Sequence, residues 1–356
     1  MVKFPLVSVC VPTYNRAGLL RETLPTICAQ DYAPLEILIS DNCSDDETER
    51  LCRQIAQIDS RVRYVRQPRN IGLHANHNFC IEESRGEFLC FFHDDDLYDP
   101  QIIGHYVEFF HQHPEVGIVC SNWELINDAG ELIGVRDHNV KPVTAGREYI
   151  EQTLRSGRSS VGCSGAMIRR SALGGARFDE KGSVGFADFV LWFEIAERYA
   201  VGHIHRRLWR YRLHSRSFSR RTIESIAQDY LETLTRYCDG YLARWPGHAE
   251  LVDRWRAYVN RYLFWALAYE VGLYFRKVGS PASRRSPHRT IFEIAGYRLT
   301  LEEFHRVLPQ LRVYRTGFLQ NVALSTIQLL LRIKMTWPLA WITHYASSLR
   351  GLLGLR

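Results

Sequence analysis

Apolar and polar positions change in blocks along the first third of the chain. LVSVCVP (6–12) is apolar almost throughout and reads as a buried strand, and from Ala17 to Gln30 the residues Leu19, Leu20, Leu24 and Ile27 share one helical face. LEILIS (35–40) is a second strand, followed by the cap-rich turn DNCSDDE (41–47) and a helix over about 46–58. VRYVRQ (62–67) is a third strand, and HANHNFCIEES (74–84) is a helix closed by Gly86. EFLCFFHDDD (87–96) reads as a fourth strand, a further helix spans about 100–113, and VGIVCSN (116–122) is the next strand. Strands that are apolar along their whole length, separated by helices at short intervals, predict an α/β fold. Its sheet is mostly parallel, with helices on both faces. Residues 120–215 are mixed, with a Gly/Ser-rich loop (SSVGCSGAMIRRS) and a helix from about Phe186 to Tyr199. From about Ser217 the pattern becomes long, aromatic-rich and helical, interrupted by the basic linker RKVGSPASRRSPHR. Two domains are expected, 1–216 and a helical region 217–356.

In open α/β sheets ligands bind beyond the carboxyl ends of the strands. The residues at those ends are Pro12, Thr13, Tyr14 and Asn15; Asp41 and Asn42; Asn70 and Gly72; and Asp94, Asp95 and Asp96. The three adjacent aspartates pose the sharpest physical question. Crowded carboxylates repel unless something cationic sits among them. Hard divalent cations, Mn²⁺ or Mg²⁺, prefer carboxylate oxygens and are often shared with substrate phosphates, so acids at a strand end suit a metal-diphosphate site. A solvated, helix-capping turn is the alternative. Asp41 could accept a nucleobase N–H or cap the next helix. Neither G-x-G-x-x-G nor G-x-x-x-x-G-K-[ST] occurs, which argues against dinucleotide-binding and P-loop proteins.

Composition narrows the class further. The chain has 356 residues, 46% hydrophobic and 24% charged, with a net charge of +6. That is a soluble globular balance with a mild bias toward anionic partners. Nine cysteines occur without a C-x-x-C pair, and several lie in apolar runs, which fits a reducing compartment better than a disulfide framework. The N-terminus lacks signal-peptide features, and no apolar stretch reaches the ~18 residues of a membrane-spanning helix.

The segments VSVCVPTYNR, EILISDNCSDDET, RNIGL, FFHDDDLYDP and GFADFVLWFEIA, in this order and spacing over about residues 6–215, resemble the family 2 glycosyltransferases of inverting GT-A type. PTYNRA with ISDN is similar to bacterial transferases that build O-antigen or other surface polysaccharide. The resemblance implies a Rossmann-like sheet and a site that holds a nucleotide-diphosphate sugar. Pro12, Thr13, Tyr14, Asn15 and Asp41 would hold the nucleotide, Asn70 and Gly72 would line the donor pocket, and His77 stands where many relatives carry an arginine near the donor phosphates. It implies Asp95 as principal metal ligand with Asp94 beside it, although that frame puts His93 where the family has its first acid; the alternative frame uses Asp94 and Asp96. Asp188 falls at the place of the catalytic base, with a helix N-cap as its bland alternative. Within YRLHSRSFS (211–219), Arg212 and His214 resemble an element that approaches the diphosphate and metal.

Beyond Glu303 the chain has no Asp or Glu, yet carries Arg306, Arg312, Arg315, Arg332, Lys334, Arg350 and Arg356 among apolar runs with Trp337 and Trp341. Such a segment suits an anionic membrane surface, with packing on the catalytic domain as the alternative. The expected function is therefore sugar transfer to a glycan acceptor, lipid-diphosphate-linked, at the cytoplasmic face of the plasma membrane. Nucleic acid is not expected as a partner, since no recognised binding module is present. The alternatives are a sugar-nucleotidyltransferase and a non-catalytic glycan- or lipid-binding protein on the same fold.

Overall fold

A computed structural model describes residues 4–180, 186–214, 223–259, 292–294 and 297–299. Two compact units are distinguished: residues 1–150 with 159–215, and residues 151–158 with 216–356.

The first unit is built on one twisted sheet. Its leading strands are β1 (Val7–Thr13), β2 (Leu35–Asp41), β3 (Val62–Arg66) and β4 (Phe88–Phe91), joined by helices α1 (Ala17–Cys28), α2 (Thr48–Ile58) and α3 (Leu73–Glu83). All seven residues of β1 are buried, because β2 and β4 flank it and helices cover both faces. On α1 the buried residues Ala17, Leu20, Thr23, Leu24 and Ile27 form the stripe that meets the sheet. These four strands pair in parallel, in the order β3-β2-β1-β4. The register sets Thr13 level with Asp41 and Cys10 level with Phe91, so three strand ends open on the same edge.

Beyond β4 the sheet becomes mixed. The elements that follow are β5 (Leu97–Tyr98), α4 (Ile102–Gln112), β6 (Val116–Ile126), β7 (Leu132–Arg136), β8 (Val143–Thr144), α5 (Gly146–Ser156), β9 (Ala166–Arg169), α6 (Arg170–Leu173), α7 (Ala187–Ala196) and β10 (Ala200–Arg212). β9 inserts antiparallel between β4 and β6, while β6 and β10 run parallel over a long stretch. The expected parallel sheet is thus present at one side, and antiparallel strands complete the other.

The fourth strand is shorter than its apolar run suggested. The Phe92 N–H still donates to Cys10 O at 2.9 Å, but then the chain leaves β1 and crosses to β5, which pairs antiparallel with β10 at the far edge of the sheet. His93–Asp96 is therefore a crossover inside the sheet rather than the end of a strand. The aromatic rings of Phe92 and Tyr98 stack at 3.7 Å and pin its two ends.

In the second unit, α8 (Ile223–Arg244) is followed by a short 3₁₀ turn (Pro246–His248), a helix over 249–259, and a hairpin of β11 (Phe292–Ile294) and β12 (Tyr297–Leu299). Trp255, fully buried, packs against Tyr237 and Tyr241 of α8 at 6.2 and 4.7 Å. The basic tail 304–356 lies outside the described residues. Among the described residues no helix is long and apolar enough to cross a membrane.

Gly86 shows how closely the central strands approach. A Cβ there would stand 2.6 Å from Ser8 N and 2.7 Å from Phe88 O, both backbone atoms that cannot swing away. Gly86→Ala is expected to cost about 1–3 kcal/mol, read as a lower urea midpoint at unchanged m value.

Candidate active site at the strand ends

The β1 turn supplies the first wall. Asn15 adopts a left-handed backbone (φ 53°), its N–H donates to Ser44 Oγ at 2.9 Å, and its side-chain Oδ1 accepts from Asp45 N at 2.9 Å. This ties the β1 and β2 turns together and leaves Tyr14 44% exposed at the rim, with Thr13 buried behind it. Asp46, which the sequence reading did not single out, accepts from Ala17 N at 3.0 Å and Thr48 N at 2.9 Å, so one carboxylate serves the first turns of both α1 and α2.

Asp41 is fully buried, and both its oxygens are engaged by the protein. Oδ1 accepts from Ser44 N and Oγ at 2.9 and 2.6 Å, and Oδ2 accepts from Tyr64 OH at 2.7 Å. Asn42 extends this network: its Oδ1 accepts from Ile71 N at 2.8 Å, and its amide donates to Asn70 Oδ1 at 3.0 Å and Gly72 O at 3.2 Å. Asn70 also accepts from Gly72 N at 2.9 Å, and Gly72, at φ 94°, starts α3. Asp41, Asn70 and Gly72 thus build the floor and rim of the opening.

The three aspartates separate into different electrostatic states. Asp95 Oδ2 accepts from His214 Nε2 at 3.0 Å, and Arg16 Nη1 lies 3.4 Å from the same nitrogen. Burial alone would raise Asp95, but this hydrogen bond and the neighbouring His93, Arg16 and His214 hold it below the ordinary carboxylate range. Burial and the Asp95 charge push Asp94 up to about 7, against the opposing pull of Thr13, Arg16 and the Tyr14 amide. Burial and the same charge raise Asp96 well above its usual value. Asp96 Oδ1 accepts from Arg212 N at 2.8 Å, whereas Oδ2 has no hydrogen-bond partner among the described residues. Among the described residues Arg16 brings a fixed positive charge to the cluster, whereas burial presses His93 toward its neutral form. Arg16, two residues after Tyr14 in PTYNR, carries no mark in the sequence beyond that position.

Ligand atoms of His93, Asp95 and Asp96 lie within 4.8 Å of one another. His93 Nε2 is buried and, like Asp96 Oδ2, has no hydrogen-bond partner among the described residues. Two buried ligand atoms without hydrogen-bond partners, beside a charged carboxylate, fit a divalent cation, whose binding would displace the Asp96 proton. Asp94 falls outside this set of three, and His214 touches it through Asp95. His93, met in the sequence as a departure from an acidic position, joins the group.

Two expectations need correction. Arg212 does not present a free guanidinium fork: Nε donates to Asp95 O at 2.9 Å, Nη1 to Asp128 O at 3.0 Å, and Nη2 to Glu22 Oε2 at 2.8 Å. Its side chain is fully buried, and it positions the acid crossover rather than reaching outward. His77 is 6% exposed, packed against Phe91 and Phe178 at 5.4 and 5.0 Å, with Nδ1 donating to Leu73 O at 2.8 Å. Burial, then the charge of a protonated His93, presses its pKa down to about 3, so it is a neutral ring beneath the site.

Asp188 sits in the first turn of α7 and remains partly exposed. Burial raises its pKa to about 6, opposed by the N–H groups of Phe189 and of its own residue. It lies within electrostatic reach of Cys163, as does Asp96. A carboxylate with a pKa near neutrality is suited to accept a proton.

Residues 8–175 match the family model described as Glycosyl transferase family 2. A Campylobacter jejuni protein, GalNAc(5)-diNAcBac-PP-undecaprenol beta-1,3-glucosyltransferase, is 38% identical over 93 residues, 26% of this chain and 30% of that one. The first curated relatives are matched over 14% and 30% of their own length, so less than a third of each is spanned. Among solved structures, S. aureus TarS 1-349 in complex with UDP-GlcNAc superposes with a TM-score of 0.57 at 16% identity, over 86% of this chain and 80% of that one. The mannosyltransferase PcManGT from Pyrobaculum calidifontis, in complex with GDP-Man and Mn²⁺, gives 0.53 at 19% identity, over 99% and 88%. These likenesses show the fold: a mixed α/β sheet flanked by helices, as in GT-A-like glycosyltransferases.

The electrostatics give a test. Asp94 holds a proton between its ordinary 3.8 and about 7 when folded, so it favours the folded state at low pH and loses that contribution as pH rises through this window. In chelator, Asp94→Asn should gain stability relative to the natural chain from about pH 4 to about pH 7 and then level off. Urea midpoints across pH measure it; a constant difference contradicts the assignment.

Proposed function

We propose that this chain, whose residues 8–175 match the Glycosyl transferase family 2 model, moves a sugar from a nucleotide-diphosphate donor to a glycan acceptor in bacterial surface-polysaccharide synthesis, with inversion and with a divalent metal. The carrying observation is the division of labour among carboxylates. Asp95 stays charged beside His214 and Arg16 in the crossover after β4, while burial tunes Asp188 to about 6 at the start of α7. The reaction needs these two kinds of acid.

The acceptor hydroxyl gives its proton to Asp188 as its oxygen attacks the anomeric carbon. Attack comes from the face opposite the diphosphate, whose bond to that carbon breaks. His93, Asp95 and Asp96 would hold the cation, with His214 bracing Asp95. A divalent ion there supplies neutralisation of the charge growing on the leaving diphosphate. Arg16 adds a fixed positive charge at the same edge, and Tyr14 offers an exposed ring for the nucleotide base or ribose. Arg212 acts at one remove: by gripping Asp95 O and Asp128 O it fixes the crossover that carries the acids.

A lipid-diphosphate-linked acceptor is supported by the undecaprenol-linked substrate in the name of the Campylobacter relative and by the composition of the tail. Seven basic residues and no acid in 304–356 suit an anionic bilayer at the cytoplasmic face. The donor neighbours in solved structures, UDP-GlcNAc and GDP-Man, support a nucleotide sugar without choosing between bases.

Incubation with radiolabelled sugar nucleotides, with and without Mn²⁺, tests the reading; label transferred to a glycan, only with metal, is expected. A nucleotidyltransferase would instead require a sugar phosphate and release pyrophosphate. Asp188→Asn should bind donor normally and lose ~10²–10⁴-fold in kcat. In the natural chain the rate should fall as pH drops through about 6, because protonation removes the base. A variant that keeps more than about a tenth of kcat would leave Asp188 as a helix cap.

The tail gives a separate expectation. Full-length protein should bind phosphatidylglycerol vesicles at low salt, with each basic residue contributing ~1 kcal/mol. Binding should weaken without vanishing as salt rises, because apolar insertion resists screening. Failure to bind at low salt would place the tail elsewhere.

A further inference from the structure

His93 has a second set of neighbours besides the acids. The imidazole nitrogens of His77 and His93 and the Sγ of Cys163 offer ligand atoms within 4.8 Å of one another. Three different elements supply them: His77 from within α3, His93 from the crossover after β4, and Cys163 from the Gly/Ser-rich loop that leads into β9. Their convergence is fixed by main-chain pairing. Phe91 lies opposite Ala166 in the β4–β9 ladder, and Gly165 N donates to Phe91 O at 3.1 Å, which ties the Cys163 loop to the start of the crossover. His77 packs on Phe91 and meets the His93 ring edge-on at 6.0 Å.

The donors are prepared for a metal rather than for one another. A carbonyl only accepts, so the contact from His77 Nδ1 to Leu73 O puts the proton on Nδ1 and the lone pair on Nε2. A histidine whose second nitrogen is held this way is oriented and made more basic as a ligand. His93 Nε2 is buried without a hydrogen-bond partner among the described residues, a cost that a bound cation would remove. Nothing in the sugar-transfer reaction uses His77 or Cys163.

We propose that His77, His93 and Cys163 form a binding site for a Zn²⁺-class cation. Two imidazoles and a thiolate match a borderline-soft ion and suit Mg²⁺ poorly, whereas the carboxylates of Asp95 and Asp96 have the opposite preference. Binding replaces the thiol proton with the metal and releases one proton to solvent. Three protein ligands leave a fourth position open. His93 belongs to both groups, so an ion held by His77 and Cys163 competes for the imidazole beside Asp95. If the sugar-transfer reading holds, Zn²⁺ is then an inhibitor of the Mn²⁺-supported reaction; the binding site itself stands independently of that reading.

Titration of the full chain with Co²⁺, a spectroscopic substitute for Zn²⁺, tests the site without any activity assay. One equivalent should bring up a near-ultraviolet thiolate-to-cobalt band that Zn²⁺ bleaches. The band should persist in Asp95→Asn, disappear in Cys163→Ser, and require more than about tenfold higher Co²⁺ in His77→Gln. As a check that needs no variant, Zn²⁺ should protect Cys163 from alkylation in the natural chain, read by peptide mass spectrometry. Absence of a thiolate band, its survival in Cys163→Ser, or alkylation of Cys163 at the same rate with and without Zn²⁺ would overturn the proposal.

Discussion

Three consecutive carboxylates, one fully buried and two partly so, repel one another, and the rest of the site follows from how that repulsion is resolved. Asp95 keeps its charge because His214, Arg16 and His93 surround it, while Asp94 and Asp96 are pushed toward the neutral form by burial and by Asp95 itself. That arrangement needs residues far apart in sequence to meet: His214 lies 119 positions from Asp95. The meeting is arranged by β10, which pairs with β5 immediately after the acids and ends at Arg212. Arg212 then closes the loop with its main-chain N–H on Asp96 and its guanidinium on Asp95 O.

Much of the fold was legible because its signals are local. Val7–Thr13 and Leu35–Asp41 are mostly apolar and buried, Val62–Arg66 carries two arginines yet keeps strand-forming Val and Tyr, and the helices between them repeat at helical spacing, so the type and position of these elements follow from the sequence. The antiparallel insertion of β9 was not legible. AMIR is a four-residue strand, and its partner is chosen by the sheet order rather than by its own composition. The early end of β4 escaped for a related reason: Phe92 is as apolar as Phe91, and only the crossover to β5 distinguishes them.

The site was legible in its acids and less so in its bases. Asp94–Asp96 and Asp188 stand out as charges beside apolar runs. Arg212 looked like an anion-binding fork because its partners, mostly main-chain oxygens, leave no mark in a sequence. His77 stood where a contact near the donor phosphates was expected, yet α3 is buried on several sides, with His74, Asn76 and Asn78 each bonded to a neighbouring segment. His93 appeared as a missing acid. In the fold its place between the oxygen donors and Cys163 gives the apparent substitution a chemical meaning of its own.

The central claim, that Asp95 is the charged anchor through which metal and nucleotide sugar bind together, can be tested by calorimetric titration of UDP-GlcNAc and GDP-mannose into the natural chain and Asp95→Ala, each with Mn²⁺ and with chelator. The account predicts that Mn²⁺ tightens binding of at least one donor by about tenfold or more, roughly 1.4 kcal/mol, in the natural chain, and that this gain disappears in a folded Asp95→Ala protein. An equal gain in both proteins would contradict it.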